Sequence, residues 1–405
     1  MRQTDILIVG GGVGGLTLAV LLADVGISVD LIEPYPPEPL KKTKITGRTV
    51  ALMEGSLNVI RACGVWDSIK DRTCPMQAMR ILDDSMRKGQ TIDTEFSASN
   101  IGMTQFGYNI PNSLLRAALY EKAAKAKTIK IHNCASTEFE QHKGHIVAHL
   151  ENDATIRAAL MVGADGRNSR VREKSGIAVW KQNYNQKAIT CVINHSRAHN
   201  NTATEFHRAG GPFALVPLPG NQSSVVWVET PEHADELLRL KKHEFEQALQ
   251  KNANDILGGV TLEIGPEAWP LCSIKAKKLI APRIALIAEA AHVMSPITAQ
   301  GLNLSLRDVA ALAEIITDAK RLGIDPGSAT ILNKYQKRRS MDINTRVFGV
   351  DGMNRLVSHD ASIVQSLRRY GLKTVERAAP LKRFAMRHGL APSIDAGRLV
   401  KGEAL

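Results

Sequence analysis

Asp5-Ile6-Leu7-Ile8-Val9-Gly10-Gly11-Gly12-Val13-Gly14-Gly15-Leu16 is the stretch whose reading decides the fold. Its apolar start reads as a buried parallel strand. Leu16 to Val25 reads as a helix, with Gly26 as its stop. Between them, Gly10, Gly12 and Gly15 form G-x-G-x-x-G, with Val13 and Gly14 inside the motif. A second strand, Ser28-Val29-Asp30-Leu31-Ile32, ends at the acid Glu33. Strand, glycine turn, helix, strand and acid together predict a βαβ unit that binds a dinucleotide. Gly10 permits the tight turn, Gly12 lets backbone approach a pyrophosphate, and Gly15 lets the helix pack close to the strand. The helix N-terminus offers free N–H groups and partial positive charge to phosphate. Glu33 can accept hydrogen bonds from a ribose.

Working outward, 405 residues at 44% hydrophobic content suffice for a large core and predict two or three domains. Five cysteines, Cys63, Cys74, Cys134, Cys191 and Cys272, contain no C-x-x-C pair. That pattern argues against a disulfide framework and against zinc, so no metal ligands are assigned. The uncharged run Ile6 to Ala23 is broken by glycines, which argues against a membrane span. Met1-Arg2-Gln3-Thr4-Asp5 is a poor signal-peptide start, and a cytoplasmic protein is expected. The net charge of +12 lacks the aromatic interleaving of a nucleic-acid surface, so no nucleic-acid partner is expected. Anionic membrane surface, acidic partners or simply a high pI account for it.

Further along, residues 34–47 read as a loop rich in proline and lysine. Strands with a charged turn are expected over 76–97, and a helix opens at Pro111-Asn112. Residues 187–231 are strand-rich, one charged helix is expected over 231–251, and a long helix begins near Leu302. The chain from about 330 reads as helical and basic.

Two further segments carry chemistry. Gly163-Ala164-Asp165-Gly166-Arg167-Asn168-Ser169-Arg170-Val171-Arg172 ends a strand in a tight turn, and its arginines suit phosphate. Ala288-Glu289-Ala290-Ala291-His292 delivers an acid at a strand end. The loop through Pro296 and Gln300 to Gly301-Leu302-Asn303 then feeds a helix N-terminus. Such an acid can bind a ribityl hydroxyl, and such a terminus can stabilise negative charge on a reduced flavin. His292 reads more readily as a packed structural residue than as a base.

Together these segments resemble the flavoprotein aromatic hydroxylases of the p-hydroxybenzoate hydroxylase fold, and within them the ubiquinone-biosynthesis hydroxylases. The resemblance also takes in Arg48-Thr49-Val50-Ala51-Leu52, Phe106 to Asn112, Glu205-Phe206, Gly211 to Leu218, Val226-Trp227, Arg307-Asp308 and Pro380 to His388. It implies an α/β chain: a Rossmann-like FAD-binding domain, an inserted strand-rich substrate domain and a C-terminal helical segment. The expected boundaries are 1–75, 98–175 and 276–330 for the FAD domain, 76–97 and 176–275 for the substrate domain, and 331–405 for the helical region.

The resemblance also implies roles. Gly10, Gly12, Val13, Gly14, Gly15 and Glu33 would hold the ADP part of FAD. Arg48 and Asn112 would reach ribose or pyrophosphate, and Asp165 and Gly166 would sit at the turn serving FAD and a passing NADPH or NADH. Glu289 would stand near the ribityl chain. Pro296 and Gly301 would form the flavin-ring environment, with Gly301, Leu302 and Asn303 at the pyrimidine edge, and no acid or base is assigned. The implied reaction hydroxylates a polyprenyl phenol with NAD(P)H and O2 through a C4a-hydroperoxyflavin. A soluble aromatic substrate, or a flavin-poor non-catalytic role in a biosynthetic complex, stays open. So do the ring position, the choice of NADH or NADPH, and a homodimer. The chain departs from the family at Ala288-Glu289, where Gly-Asp or Gly-Asn is usual, and at Ala299, where glycine is common. A basic amphipathic stretch from Arg368 to Arg387, divided by Pro380, suits peripheral attachment to the inner membrane face or to a biosynthetic complex.

Overall fold

A computed structural model describes residues 1–83, 92–208, 210–296, 299–357, 386 and 396–405. The basic stretch from Arg368 to Arg387, Met386 aside, lies outside the described residues.

The first strand, Arg2–Val9, lies in the middle of a parallel core. It pairs with Val29–Ile32 on one side and Thr155–Gly163 on the other. Ile129–His132 and Ile284–Leu286 extend this parallel layer. Strands covered on both faces must be apolar throughout, which explains why Ile6 to Val9 read as a continuous run. The helix Val13–Asp24 is buried on nearly every side, from Val13 to Leu22. It packs against the helices Asn112–Lys125 and Gly301–Arg321. A helix apolar all round belongs in a protein interior. That burial, not lipid, accounts for the uncharged run.

A second, eight-stranded sheet is built on two antiparallel strands of 17 residues each, Val179–His195 and Val260–Ala276. Beyond them follow Gln222–Glu229, Gly211–Leu218, Thr202–Arg208, Ala78–Asp83 and Ile92–Ser97. One face buries Phe206, Phe213 and Trp227 under Ala234, Leu237, Phe245 and Leu249. Those last four come from two helices, Pro231–Arg239 and Lys242–Asn252, rather than the single helix expected. The break is chemical. Leu240 is extended, and Lys241 starts a new helix by donating its backbone N–H to Glu244.

A third sheet of three short strands, Thr49–Met53, Gly107–Pro111 and Cys74–Met76, lies between the two. Thr49 hydroxyl meets Ser224 hydroxyl at 2.8 Å, and Asn109 donates to Pro217 O at 3.0 Å. Helices Gly301–Arg321 and Ala329–Val357 complete the nucleotide side. Residues 396–405 pack back on it: Leu399 N–H donates to the buried Glu314 carboxylate at 2.9 Å. No helix among the described residues is long and apolar enough to cross a membrane.

Asp30 is a fully buried carboxylate within the first sheet. Burial works against its charge, but the hydrogen bond from His132 (2.6 Å) and the guanidinium of Arg2 (2.8 Å) outweigh it. Its pKa therefore lies below the ordinary value. A carboxyl lowered in the fold stabilises above its unfolded pKa, about 3.9, and that contribution is lost as pH falls through the folded value. Asp30→Asn is expected to cost about 2 kcal/mol in urea unfolding at pH 7 and progressively less below about pH 4. An equal loss at all pH values would show that the charge is not what stabilises.

Candidate functional site: a dinucleotide cradle between two sheets

The glycine turn divides its labour by position. Gly10 has φ +109, and a Cβ there would lie 2.3 Å from Ala164 O. A Cβ on Gly15 would lie 2.0 Å from Gly10 O, so the helix could not approach its strand with any side chain present. Gly12 is different, because a Cβ there would meet nothing within 4 Å. Protein packing does not require that glycine; the open space beside it does. Gly12 is also the N-cap of the helix Val13–Asp24, with no side-chain cap and no acid in the first turn. Its free N–H groups and partial positive charge are thus left for an outside anion.

Glu33, 8% exposed, is already organised. One carboxylate oxygen accepts from Gly11 N–H at 2.7 Å, the other from Tyr35 N–H at 2.8 Å. Arg116 stands 3.4 Å away and donates to Gly11 O and Tyr35 O. Arg116 was not among the expected site residues. Its only signal was its place one turn beyond Asn112 on the same helix. Asn112 opens that helix and donates its N–H to Arg48 O at 3.1 Å. The Arg48 guanidinium lies 5.1 Å from the ring centre of Trp269, on the second sheet.

At the second turn, both oxygens of Asp165 are engaged, by Ser169 hydroxyl at 2.5 Å and Val171 N–H at 3.1 Å. Gly166 has φ +81 with open space beside it. Arg172 does not stand free for phosphate. Its guanidinium donates to Ala290 O and Arg167 O, both at 2.9 Å, and so stitches this turn to the segment carrying Glu289. Arg167 in turn lies 3.9 Å from Glu289, whose side chain is 46% exposed.

Glu289 occupies a short link between sheets. Before it, Ile284–Leu286 belongs to the first sheet; after it, His292–Val293 pairs with Ile274 and Lys275 of the second. The link is fixed from beneath by Asp308, which is fully buried. Asp308 accepts from His292 at 2.6 Å, from Ala288 N–H at 3.2 Å and from Arg339 at 2.8 Å. Burial opposes the charge on Asp308, but His292 and Arg339 overcome it and hold the carboxyl below its usual pKa. His292 is thus a packed structural residue, as its sequence context suggested.

Pro296 is exposed on the following loop, and Ala299 N–H closes a turn on Pro296 O at 3.0 Å. Gly301 and Leu302 begin the long helix, which has neither a side-chain cap nor an acid in its first turn. The Asn303 side chain serves the protein. It accepts from Met53 N–H at 2.9 Å and donates to Ala51 O and Ala299 O, both at 2.8 Å. The loop is thereby tied to the third sheet.

An open pyrophosphate cradle, an organised acid at the second strand and two uncapped helix N-termini fit a bound dinucleotide. They define the class: a dinucleotide-binding α/β fold. Comparison with known proteins agrees. Residues 3–347 match the FAD binding domain family. A ubiquinone hydroxylase, UbiL, of Rhodospirillum rubrum is 36% identical, covering all of this chain and 94% of its own. The 3-demethoxyubiquinol 3-hydroxylase of Escherichia coli is 30% identical over 96% of this chain and 99% of its own. The crystal structure of PqsL, a probable FAD-dependent monooxygenase from Pseudomonas aeruginosa, superposes with a TM-score of 0.77 at 22% identity, covering 92% of this chain and all of its own. The chain belongs to the FAD-dependent monooxygenase family that contains the ubiquinone-biosynthesis hydroxylases.

Two predictions follow the geometry. Gly15→Ala must displace backbone and is expected to cost about 3 kcal/mol or more, whereas Gly12→Ala is expected to fold normally yet retain FAD at least tenfold more weakly. Thermal melts with and without added FAD separate the two, and Gly12→Ala holding FAD like wild type would remove the assigned cradle. The second concerns the family departures. Ala288 has φ +54 and Ala299 has φ +50, both in the left-handed region that glycine tolerates. Ala288→Gly is expected to stabilise by about 0.5–1 kcal/mol, as relieved strain exceeds the added chain entropy. Urea midpoints check this, and a destabilised variant would mean that the alanine methyl contributes packing worth more than the strain.

Proposed function

We propose that this protein hydroxylates the aromatic ring of a polyprenyl phenol intermediate of ubiquinone biosynthesis, with NADH or NADPH as a transient reductant. One observation carries the reading: similarity to ubiquinone hydroxylases runs through the whole chain, the second sheet as well as the cradle. Bound FAD, reduced by the nicotinamide cofactor, supplies activated oxygen. The protein supplies position and electrostatics. Gly10 to Gly15 and Glu33 hold the ADP portion, with Arg48 and Asn112 toward ribose and pyrophosphate. Asp165, Gly166 and Glu289 line the passage between. The uncapped terminus at Gly301-Leu302-Asn303 would meet the pyrimidine edge and favour negative charge there, and Pro296 would lie by the ring. The second sheet orients the phenol and excludes water.

Peripheral attachment to the anionic inner membrane face, or to a biosynthetic complex, belongs to the same reading. The +12 charge and the apolar tail of the substrate both favour it.

Purified protein is expected to be yellow and to convert a prenyl phenol to its hydroxylated product with NAD(P)H and O2, detected by mass spectrometry. Deletion of the gene is expected to accumulate an under-hydroxylated quinone precursor. Colourless protein that does not take up FAD, with an unchanged quinone profile after deletion, would overturn the reading. Turnover of soluble phenols alone would replace the substrate class.

A further inference from the structure

We infer that Glu205 is the base that takes the phenol proton and that His207 positions it, an assignment that rests on the proposed ring hydroxylation. Glu205 and His207 are two residues apart on the strand Thr202–Arg208, so they share one face of the second sheet. Phe206 between them is buried on the opposite face, under the helices Pro231–Arg239 and Lys242–Asn252. The Glu205 face is the one turned toward the nucleotide side. Along it Val216 packs against the cluster that holds Met53 and Met76 of the third sheet. Ser224, which pairs with Val216, bonds Thr49 of the same small sheet. That strand is in turn tied to the loop after Pro296 through Asn303.

Around Glu205 the face is apolar and incompletely covered. Ile81 and Ala214 flank it in register, and Val226 follows Ala214; all three are only half-buried. The side chains of these neighbours offer the carboxylate no hydrogen bond. Among the described residues its only hydrogen bond runs from His207 Nε2–H to one carboxylate oxygen at 2.8 Å. A carboxylate only accepts, so the proton of this bond resides on Nε2. The Glu205 side chain remains 29% exposed, while that of His207 is 8% exposed. His207 Nδ1 is buried with no hydrogen-bond partner among the described residues. The imidazole is thus committed to a single task, holding the carboxylate in place.

The neighbouring charges do not compete. Asp83, opposite His207, is buried and has its own partner. Arg208 lies over the Phe206 and Phe213 rings on the far face. The strand Gly211–Leu218 contributes no titratable side chain.

The step needs no reactant beyond the O2 and NAD(P)H of the proposed reaction, which supply the transferred oxygen atom and two electrons, the second oxygen leaving as water. The phenol O–H bond breaks, its proton passes to the free oxygen of Glu205, and the electron pair stays on the phenolate, raising electron density at the ring carbons. After oxygen transfer to one such carbon, that carbon loses its hydrogen to water as a proton. Glu205 then returns its proton to the original oxygen, restoring the aromatic diol and the carboxylate.

The test compares wild type, Glu205→Gln, His207→Gln and His207→Leu on a short-chain prenyl phenol, measuring product per flavin across pH. Glu205→Gln keeps an acceptor for His207 and so keeps the fold; FAD content and melting temperature check this. Its rate is expected to fall about 100-fold or more at pH 7. It should climb again as pH nears the phenol's own pKa of about 10, where the substrate ionises unaided; wild type shows no such climb. His207→Leu should lose most of the rate, and His207→Gln, which restores an N–H donor, should recover at least tenfold of it. A Glu205→Gln rate within threefold of wild type, or a loss with no alkaline recovery, overturns the assignment while leaving ring hydroxylation standing. Wild type inactive on every phenol overturns both.

Discussion

The structure depends on one buried carboxylate. Asp308 lies on the long helix Gly301–Arg321, out of contact with water, and gathers three donors from three other segments. Ala288 N–H comes from the end of the first sheet, His292 from the edge of the second, and Arg339 from the helix Ala329–Val357. An isolated buried charge would be prohibitive, and one that receives this many hydrogen bonds becomes a fixed joint. Asp308 fixes both ends of the link that carries Glu289, at Ala288 and at His292. Arg172 and Asn303 add further ties, one to the turn at Asp165 and one to the third sheet. The cofactor segment is therefore a short bridge pinned at each end and in the middle.

How much of this could be read from the sequence follows the distance between cooperating residues. The cradle was legible because strand, turn, helix and acid lie within one βαβ unit, and each glycine answers a local demand. The strand-rich stretch 187–231 was legible for the same reason. The Asp308 joint was not, because its partners lie 16, 20 and 31 positions away and only folding unites them. Arg116 was missed because its role depends on Glu33, far upstream. The split at Leu240 was missed because both helices share one charged, amphipathic composition, and only the capping contact at Glu244 separates them. Arg172 misled in a different way. A guanidinium near a cofactor turn is well suited to phosphate, yet it is equally suited to two backbone carbonyls, and here the carbonyls have it.

The two alanines that replace family glycines gain meaning from their backbones. Both adopt positive φ, so each carries the strain of a Cβ in a conformation that glycine tolerates. That is the behaviour of a fold whose surroundings over-determine the local conformation. Ala288 is held through its own N–H by Asp308, and Ala299 is held through its carbonyl by Asn303. A side chain so constrained cannot relax by turning its backbone. The backbone just before Glu289 is therefore fixed by Asp308. The extra methylene of Glu289 is accommodated on the exposed side, toward Arg167, not in the core.

The same division explains where acid–base chemistry is placed. The nucleotide side spends its polar groups on holding itself together: Glu33, Asp165, Asp308 and Asn303 each satisfy backbone or buried partners. A group that must change protonation during turnover cannot also be a structural joint, because each proton gained would loosen the fold. The second sheet has no such conflict. Its core lies on the helix-covered face, sealed by Phe206, Phe213 and Trp227. Its other face meets the third sheet through Ser224 and Val216, and beside them bears a carboxylate with one hydrogen bond among the described residues and 29% of its side chain exposed. Stability and proton transfer are thus carried by opposite faces of a single layer, with the strand Thr202–Arg208 contributing to both through alternate residues.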